Sequence, residues 1–95
     1  MTYKLAFLPS ARAEWDKLDG SVKQVLKKKL AERLQEPRLP SAALHNMRDC
    51  YKIKLKRAGY RLVYRVDDGI VTVTVVSVGR RADLAVYQAA KSRLE

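Results

Sequence analysis

The sequence predicts one α+β domain over residues 1–95, with helices packed against a largely antiparallel sheet. Three observations lead to this prediction. The chain has 95 residues, of which 47% are hydrophobic and 32% charged, which is typical of a single folded core. Helical periodicity dominates the first half and strand-like alternation the second half. Turn residues separate three consecutive strand-like runs in that second half.

The first half of the chain is predicted to form a strand and a helical hairpin. A strand with one buried face is indicated by the alternating residues Tyr3, Leu5 and Phe7. A short helix is expected to begin with Ser10 as its N-cap and to end at a left-handed Gly20. A second helix is expected to begin with a capping box of Ser21 and Gln24 and to stop at Pro37. Its apolar stripe consists of Val22, Val25, Leu26, Leu30 and Leu34.

The second half is predicted to form a loop over residues 37–49, a three-stranded meander and a final helix. The strands are expected at Tyr51–Leu55, Tyr60–Val66 and Ile70–Val78, and the helix at Ala82–Leu94. Asp68-Gly69 is a strong signal for a two-residue hairpin turn. The predicted order is therefore β-α-α-β-β-β-α, with the helices on one face of a mainly antiparallel four-stranded sheet.

Cations are predicted to cluster on one face of the meander. Pairing Leu55 with Tyr60 places Lys54 opposite Arg61, and the two-residue turn would place Arg61 opposite Val76. The face carries Lys52, Lys54, Lys56, Arg61, Arg65, Thr72 and Thr74, with Val63 and Val76 as apolar exceptions. It is interpreted either as a solvated face or as a phosphate-binding surface whose counter-charge arrives with the ligand. The face carries positive charges and no negative ones, whereas protein surfaces normally mix both signs. This one-sided charge favours the phosphate-binding surface.

The whole chain is cationic. Twenty Lys and Arg against ten Asp and Glu give a formal net charge of +10, which favours an anionic partner and nucleic acid ahead of a membrane. The single Cys50 excludes an internal disulfide. The first residues do not fit a signal peptide, and no apolar run is long enough to cross a membrane, so a cytoplasmic location is expected.

The usual acid and base residues of nucleases are scarce. His45 is the one histidine, so a two-histidine site cannot form, and no carboxylate cluster suits a metal nuclease. No metal or other cofactor is expected. Lys and Arg can stabilise charge on a transferring phosphoryl group, and RNA supplies a 2′-hydroxyl as nucleophile. Tyr87 is a candidate base if neighbouring cations favour its phenolate; packing of Tyr87 on the sheet is the alternative interpretation.

At these residues the sequence resembles the RelE toxins of bacterial and archaeal toxin–antitoxin systems, within the RelE/ParE superfamily. The similar stretches are residues 27–30, 49–55, 59–64, 76–81 and 86–87. The resemblance covers nearly the whole chain and implies the RelE-like microbial RNase fold. It also implies a ribosome-dependent endoribonuclease that cuts messenger RNA in the A site. In that family, metal-independent attack by the 2′-hydroxyl leaves a 2′,3′-cyclic phosphate and a 5′-hydroxyl.

The resemblance implies roles for particular residues. The catalytic group at matching positions is Lys52, Lys54, Arg61, Arg81 and Tyr87. Tyr87 would be the general base, assisted by Lys52 and Lys54. Arg61 and Lys54 would stabilise the phosphorane, and Arg81 would help the leaving 5′-oxygen either as an acid or electrostatically. The residues expected to contact RNA or the ribosome are Lys27, Lys28, Lys56, Arg65 and Arg80.

The implied partners are a RelB-like antitoxin, the small ribosomal subunit with its messenger RNA, and operator DNA only through the antitoxin. The antitoxin is expected to wrap the toxin and to displace the last helix. Two alternatives stay open: a ParE-like toxin that shares the fold and poisons DNA gyrase, and a nucleic-acid-binding module without chemistry. The joint presence of the five catalytic positions favours the nuclease.

Overall fold

The computed structural model describes residues 2–80 and 85–94 and contains four strands and three helices. The strands are β1 (Lys4–Phe7), β2 (Cys50–Leu55), β3 (Tyr60–Asp67) and β4 (Thr72–Arg80). The helices are α1 (Pro9–Asp16), α2 (Gly20–Gln35) and α3 (Ala85–Leu94), and a short 3-10 helix occupies Pro40–Ala42 within the predicted loop. The predicted order of elements and the α+β class are confirmed.

The four strands form one mixed sheet in the order β1-β4-β3-β2. β1 runs parallel to β4, whereas β2–β3 and β3–β4 are antiparallel pairs. The sheet is therefore mainly antiparallel, as predicted. β1 and β2 are the two edges of the sheet that the described residues form, and the outer side of β2 carries an isolated bridge between Ala43 and Tyr51.

The register predicted for β2 and β3 is confirmed. Leu55 pairs with Tyr60, and Lys54 pairs with Arg61. Two cations thus lie directly opposite each other near the end of the hairpin, where like charges oppose pairing.

The register predicted for β3 and β4 is wrong. Arg61 faces Gly79 and not Val76. The connection between the strands is longer than a two-residue turn: Asp67 pairs with Thr72, and the Asp67 side chain accepts hydrogen bonds from the backbone of the intervening loop. A β-bulge at Val76 of β4 then shifts the register further, because Val63 pairs with Ser77 whereas the next residue, Tyr64, pairs with Val75.

Helices cover both faces of the sheet, so the expectation that all helices share one face is wrong. α1 and α2 pack on the larger core, which includes Trp15, Leu26, Leu30, Ile53, Leu62 and Tyr64. α3 packs on the opposite face with Met47, Cys50, Val63, Val76, Val86 and Ala90. Val63 and Val76, the apolar exceptions of the predicted cationic face, are both 0% exposed. They are exceptions because α3 covers that part of the face.

The predicted helix caps differ from the observed ones. α1 begins at Pro9, whose fixed backbone angle suits a first helical position, so Ser10 lies inside the helix. Gly20 is the first residue of α2 and does not end α1. The Ser21 hydroxyl donates to the Asp19 carboxylate, and no side-chain cap is formed. No helix within residues 2–80 and 85–94 is long and apolar enough to span a bilayer.

Candidate active site

The end of the β2–β3 hairpin carries an unbalanced group of cations. Lys54 and Arg61 face each other across the two strands. Together with Leu55 and Lys56 they line a pocket of about 260 Å³. Among the residues that the structure describes, no carboxylate lines this pocket. The pocket is therefore suited to an anion.

The cations of this group influence each other. The positive charge of Lys52, followed by that of Arg61, lowers the pKa of the exposed Lys54 ammonium below its ordinary value. A like charge disfavours the protonated form, so Lys54 gives up its proton more readily than an isolated lysine. Lys54 therefore carries a positive charge and loses its proton at a lower pH than an isolated lysine.

Arg61 contacts Tyr87 directly. Arg61 Nη1 donates a hydrogen bond of 2.7 Å to Tyr87 Oη, and the Arg61 Cζ atom lies 5.5 Å from the centroid of the Tyr87 ring. Arg61 Nε is buried and has no hydrogen-bond partner among the described residues. An unpaired buried donor costs free energy, and the contacts of Arg61 with Tyr87 help to offset that cost.

The first turn of α3 is fixed to the sheet beside Arg61. The buried Ser77 hydroxyl donates a hydrogen bond of 2.7 Å to the Val86 carbonyl. Gly79 is the cross-strand partner of Arg61, and a Cβ atom at Gly79 would lie 3.0 Å from Val86 Cγ2. A side chain at Gly79 would press against Val86, so the small size of glycine favours the close approach of α3 to β4 that places Tyr87 over Arg61.

The other end of α3 is held by an ion pair. Arg93 Nη1 and Nη2 donate to the two carboxylate oxygens of Glu14 at 2.8 and 3.1 Å, respectively. Arg93 Nη1 also donates to the Val76 carbonyl at 2.7 Å. The Glu14 carboxylate raises the pKa of the Arg93 guanidinium. α3 is therefore attached to α1 and β4 as well as packed on the sheet.

A separate set of hydrogen bonds holds the strand that carries the lysines. Arg33 Nη1 donates to the Lys52 carbonyl and to Tyr64 Oη, each at 3.0 Å. Tyr64 is 0% exposed, and its hydroxyl donates to the Pro37 carbonyl at 2.7 Å. Arg33 thus satisfies a carbonyl of the edge strand β2 and ties it to the end of α2.

The predicted catalytic residues fall into two groups. Lys52, Lys54, Arg61 and Tyr87 belong to one cationic cluster by the contacts above, which we call the catalytic cluster. Arg81 lies outside the described residues. The packing of Tyr87 against the α3-side core is also observed, so the two interpretations of Tyr87 are compatible.

The predicted RNA- and ribosome-binding residues are spread more widely. Lys56 lines the pocket of the catalytic cluster. Arg80 is exposed at the end of β4, with its Cζ atom 5.8 Å from the Tyr60 ring centroid. Arg65 lines a different pocket of about 270 Å³ together with residues of α3. Exposed Lys27 and Lys28 lie on α2, which packs on the opposite face of the sheet from α3.

Sequence reasoning missed the residues that hold the catalytic cluster in place. Arg33, Ser77 and Gly79 act through single hydrogen bonds or a missing side chain. None of these roles leaves a periodic pattern. The one available signal was a glycine and a serine inside an otherwise valine-rich strand, which suggests close approach of another element.

Other titratable residues stand apart from the catalytic cluster. His45 is exposed in the loop before β2. Cys50 is buried, and its burial raises the pKa of the thiol. Within the described ranges, no three His, Cys, Asp or Glu side chains lie close enough to form a metal-binding group.

Comparisons with known proteins agree with this fold. A family model described as the ParE toxin of the type II toxin–antitoxin system parDE matches residues 5–85. The chain is 50% identical over 94 residues to the mRNA interferase toxin RelE of Escherichia coli K12, covering 99% of each protein. An arginine-to-alanine variant of E. coli RelE in the free state has a TM-score of 0.93 at 48% identity, covering 100% of both chains. RelE in the intact E. coli RelBE toxin–antitoxin complex has a TM-score of 0.80 at 52% identity, covering 82% of this chain and 95% of that chain.

The fold and its cationic cluster define a toxin of the type II toxin–antitoxin class. The chain belongs to the RelE/ParE family, and the relatives that it matches over its full length are RelE toxins.

Proposed function

We propose that this toxin is an mRNA interferase, a ribosome-dependent endoribonuclease that cuts messenger RNA in the A site and so stops translation. The observation that carries the proposal is the contact between Arg61 and Tyr87 with Lys54 directly opposite Arg61. The positive charge of Arg61 thus lies against a phenol, and the Lys54 ammonium, whose pKa is lowered, faces Arg61 across the strands. Phosphoryl transfer needs these groups, because charge develops on the phosphate oxygens and protons must be moved.

The cleavage follows from the chemistry of RNA. The 2′-oxygen forms a bond to the adjacent phosphorus while the bond from phosphorus to the 5′-oxygen breaks, which leaves a 2′,3′-cyclic phosphate and a 5′-hydroxyl. The proton of the 2′-hydroxyl passes to Tyr87 as general base, assisted by Lys54 and Lys52. The leaving 5′-oxygen takes up a proton, and Arg81 stabilises the charge developing there.

Arg61 has the electrostatic role. Its guanidinium holds Tyr87 Oη by a hydrogen bond of 2.7 Å and so fixes the phenol beside the positive charge. A guanidinium has several N–H groups, and those that Arg61 does not donate to Tyr87 would bind a phosphorane oxygen. No group in this scheme is a metal ligand, and we propose a metal-independent reaction.

The remaining cations provide the docking surface of the proposed nuclease. Lys27, Lys28, Lys56, Arg65 and Arg80 would contact RNA or the ribosome. Their distribution over two faces of the domain fits a protein that is surrounded by nucleic acid in the A site better than one that binds a single duplex. The reaction would take place in the cytoplasm by a single domain over residues 1–95.

The proposed partner is a RelB-like antitoxin. The E. coli relative has been solved in complex with RelB, and a net charge of +10 suits an acidic segment that folds onto the toxin. The antitoxin would displace α3 and thereby separate Tyr87 from Arg61. Contact with operator DNA would be made through the antitoxin.

The test is to induce the Arg61→Ala variant and to map cuts on ribosome-bound messages. We expect A-site cuts with the wild-type toxin and their loss in Arg61→Ala. The matched control is Arg48→Ala, which removes an arginine that is exposed away from the catalytic cluster. Equal cutting by Arg61→Ala and the wild type would contradict the proposal.

The second candidate function is gyrase poisoning, which the ParE description of the matching family model favours. It predicts DNA breaks that depend on gyrase and no cuts in messages. Such breaks, unchanged in Arg61→Ala, would replace the nuclease proposal with the ParE-like alternative.

A further inference from the structure

A second depression, which we call the edge groove, lies between α2 and the end of β2. Its volume is about 580 Å³, and its apolar side chains are Val22, Val25, Leu55 and Ala58. Val25 is 47% exposed, although Leu26 and Leu30 of the same predicted stripe are buried. The groove therefore leaves apolar surface in water on an otherwise basic part of the domain, which is typical of a binding site.

The rim of the edge groove is cationic. Its charged residues are Lys29, Lys54, Lys56 and Arg57. No Asp or Glu lines it among the residues described by the structure. An apolar floor surrounded by positively charged side chains is complementary to a ligand that carries a flat apolar group and negative charge.

The edge groove is continuous with the catalytic cluster. Lys54, Leu55 and Lys56 border both the groove and the pocket that contains Arg61. Among the described residues β2 is an edge of the sheet, so no described strand lies between the groove and solvent. An RNA strand whose scissile phosphate lies at Arg61 therefore has a neighbouring nucleotide at the mouth of the groove.

We infer that the edge groove binds one nucleotide of the messenger RNA beside the cleaved linkage. The base packs on Val25 and Ala58, and the phosphate is bound by Lys56 and Arg57. Apolar contact with bases and cationic contact with the backbone is the usual combination for single-stranded nucleic acid. The inference rests on the proposed function and assigns a substrate subsite to it.

The chemistry of the groove also predicts how it discriminates. Ser21 is the one uncharged hydrogen-bonding side chain among the described residues that line it, and its hydroxyl already donates to Asp19. The groove therefore selects among bases by the apolar area that they cover more than by hydrogen bonds to their edges. A purine, which covers more apolar surface than a pyrimidine, is expected to be preferred at this position.

The experiment compares Val25→Glu with Gln24→Glu in single-turnover cleavage of a ribosome-bound message. Both variants add one negative charge at exposed neighbouring positions of α2, but Gln24 does not line the groove. Each enzyme is assayed with messages that carry one abasic nucleotide at successive positions around the cut. We expect Val25→Glu to lower cleavage efficiency about tenfold and Gln24→Glu to change it less than about twofold.

The abasic messages identify the bound nucleotide. At the position that occupies the groove, removal of the base should slow the wild type about tenfold and should add little to the defect of Val25→Glu, because both changes remove the same contact. Additive effects at every position would overturn the inference. Unchanged cleavage by Val25→Glu with weakened antitoxin binding would also overturn it, by showing that the groove docks a protein. Failure of the proposed function is distinguishable, because the wild type and Gln24→Glu would then not cut the message.

Discussion

Arg61 of β3 and Tyr87 of α3 are joined by a hydrogen bond of 2.7 Å, although they are 26 positions apart in the chain. The contact joins the cationic hairpin to the helix that packs over it. Any change that lifts α3 from the sheet therefore changes the catalytic cluster, even when the altered residue lies outside it.

Replacing Tyr87 by phenylalanine should abolish most cleavage while leaving the fold intact. The ring still packs on the α3-side core, but the hydroxyl that accepts from Arg61, and that we propose as the general base, is lost. We expect cleavage of a ribosome-bound message to slow by about 10²- to 10⁴-fold. Antitoxin binding serves as the control for folding. A Tyr87→Phe enzyme with wild-type rates would exclude a catalytic role for the phenol.

Replacing Gly79 by alanine should displace α3. The new Cβ would lie 3.0 Å from Val86 Cγ2, and overpacking of this kind lowers the free energy of unfolding by about 1–3 kcal/mol. The matched control is Gly20→Ala at the start of α2, where nothing lies within 4 Å of the added Cβ. Urea denaturation of the two variants measures the difference, and cleavage should fall only in Gly79→Ala. Equal stabilities would show that α3 adjusts without cost.

Removing Lys52 should raise the pKa of Lys54. The Lys52 charge is the largest cause of the lowered Lys54 pKa, so Lys52→Ala should return that pKa toward the ordinary value of about 10.4. NMR titration of the Lys54 side chain measures the shift, and Lys17→Ala is the control because the Lys17 charge is not among the causes of the lowered Lys54 pKa. An unchanged pKa in Lys52→Ala would show that the two ammonium groups do not interact.

The same interaction gives a pH dependence of stability with a definite sign. Because the Lys54 pKa is lower in the folded chain than in the unfolded chain, the unfolded chain binds more protons in the interval between the two values. The contribution of Lys54 to the free energy of unfolding therefore rises as pH increases through that interval. The free energy of unfolding is measured by denaturation of the wild type and of Lys54→Met across this pH range. The difference between the two proteins should increase with pH, and the increase should be smaller when Lys52 is replaced by alanine.

Replacing Arg33 by lysine should weaken the hold on β2. Lysine keeps the charge, but it cannot reproduce the guanidinium contacts with the Lys52 carbonyl and Tyr64 Oη. We expect a loss of about 1–3 kcal/mol in the free energy of unfolding. Arg12→Lys is the control, since the Arg12–Asp16 pair is exposed and should contribute no more than about 1 kcal/mol. Comparable losses in both variants would contradict a particular role for Arg33.

The sequence predicted the elements of the fold because periodicity reports local structure. It also predicted the facing of Lys54 and Arg61, because the β2–β3 hairpin follows simple alternation. It failed for β4, where a longer loop and a bulge shift the register and bring Gly79 opposite Arg61. A bulge is a local departure from alternation, so the pattern of residues could not reveal it.

The sequence predicted the charged residues of the candidate site, but it did not predict the contacts that hold them in place. One-sided clustering of Lys and Arg is visible in sequence, and Val63 and Val76 already departed from it. These two valines are apolar because α3 covers them. The sequence alone did not show this, and their burial beneath α3 in the second core does. The contacts of Arg33, Ser77 and Arg93 join residues distant in the chain, so they depend on the packed structure.

The most direct test of the account uses a message with a single 2′-deoxynucleotide immediately before the cleaved phosphate. The proposed attack by the 2′-hydroxyl, with Tyr87 as base and Arg61 as electrostatic stabiliser, requires that hydroxyl to be present. We expect the wild-type toxin to cut the ribosome-bound message with the native nucleotide, to leave a 2′,3′-cyclic phosphate, and not to cut the deoxy-substituted message. Cleavage of both messages at equal rates would contradict it.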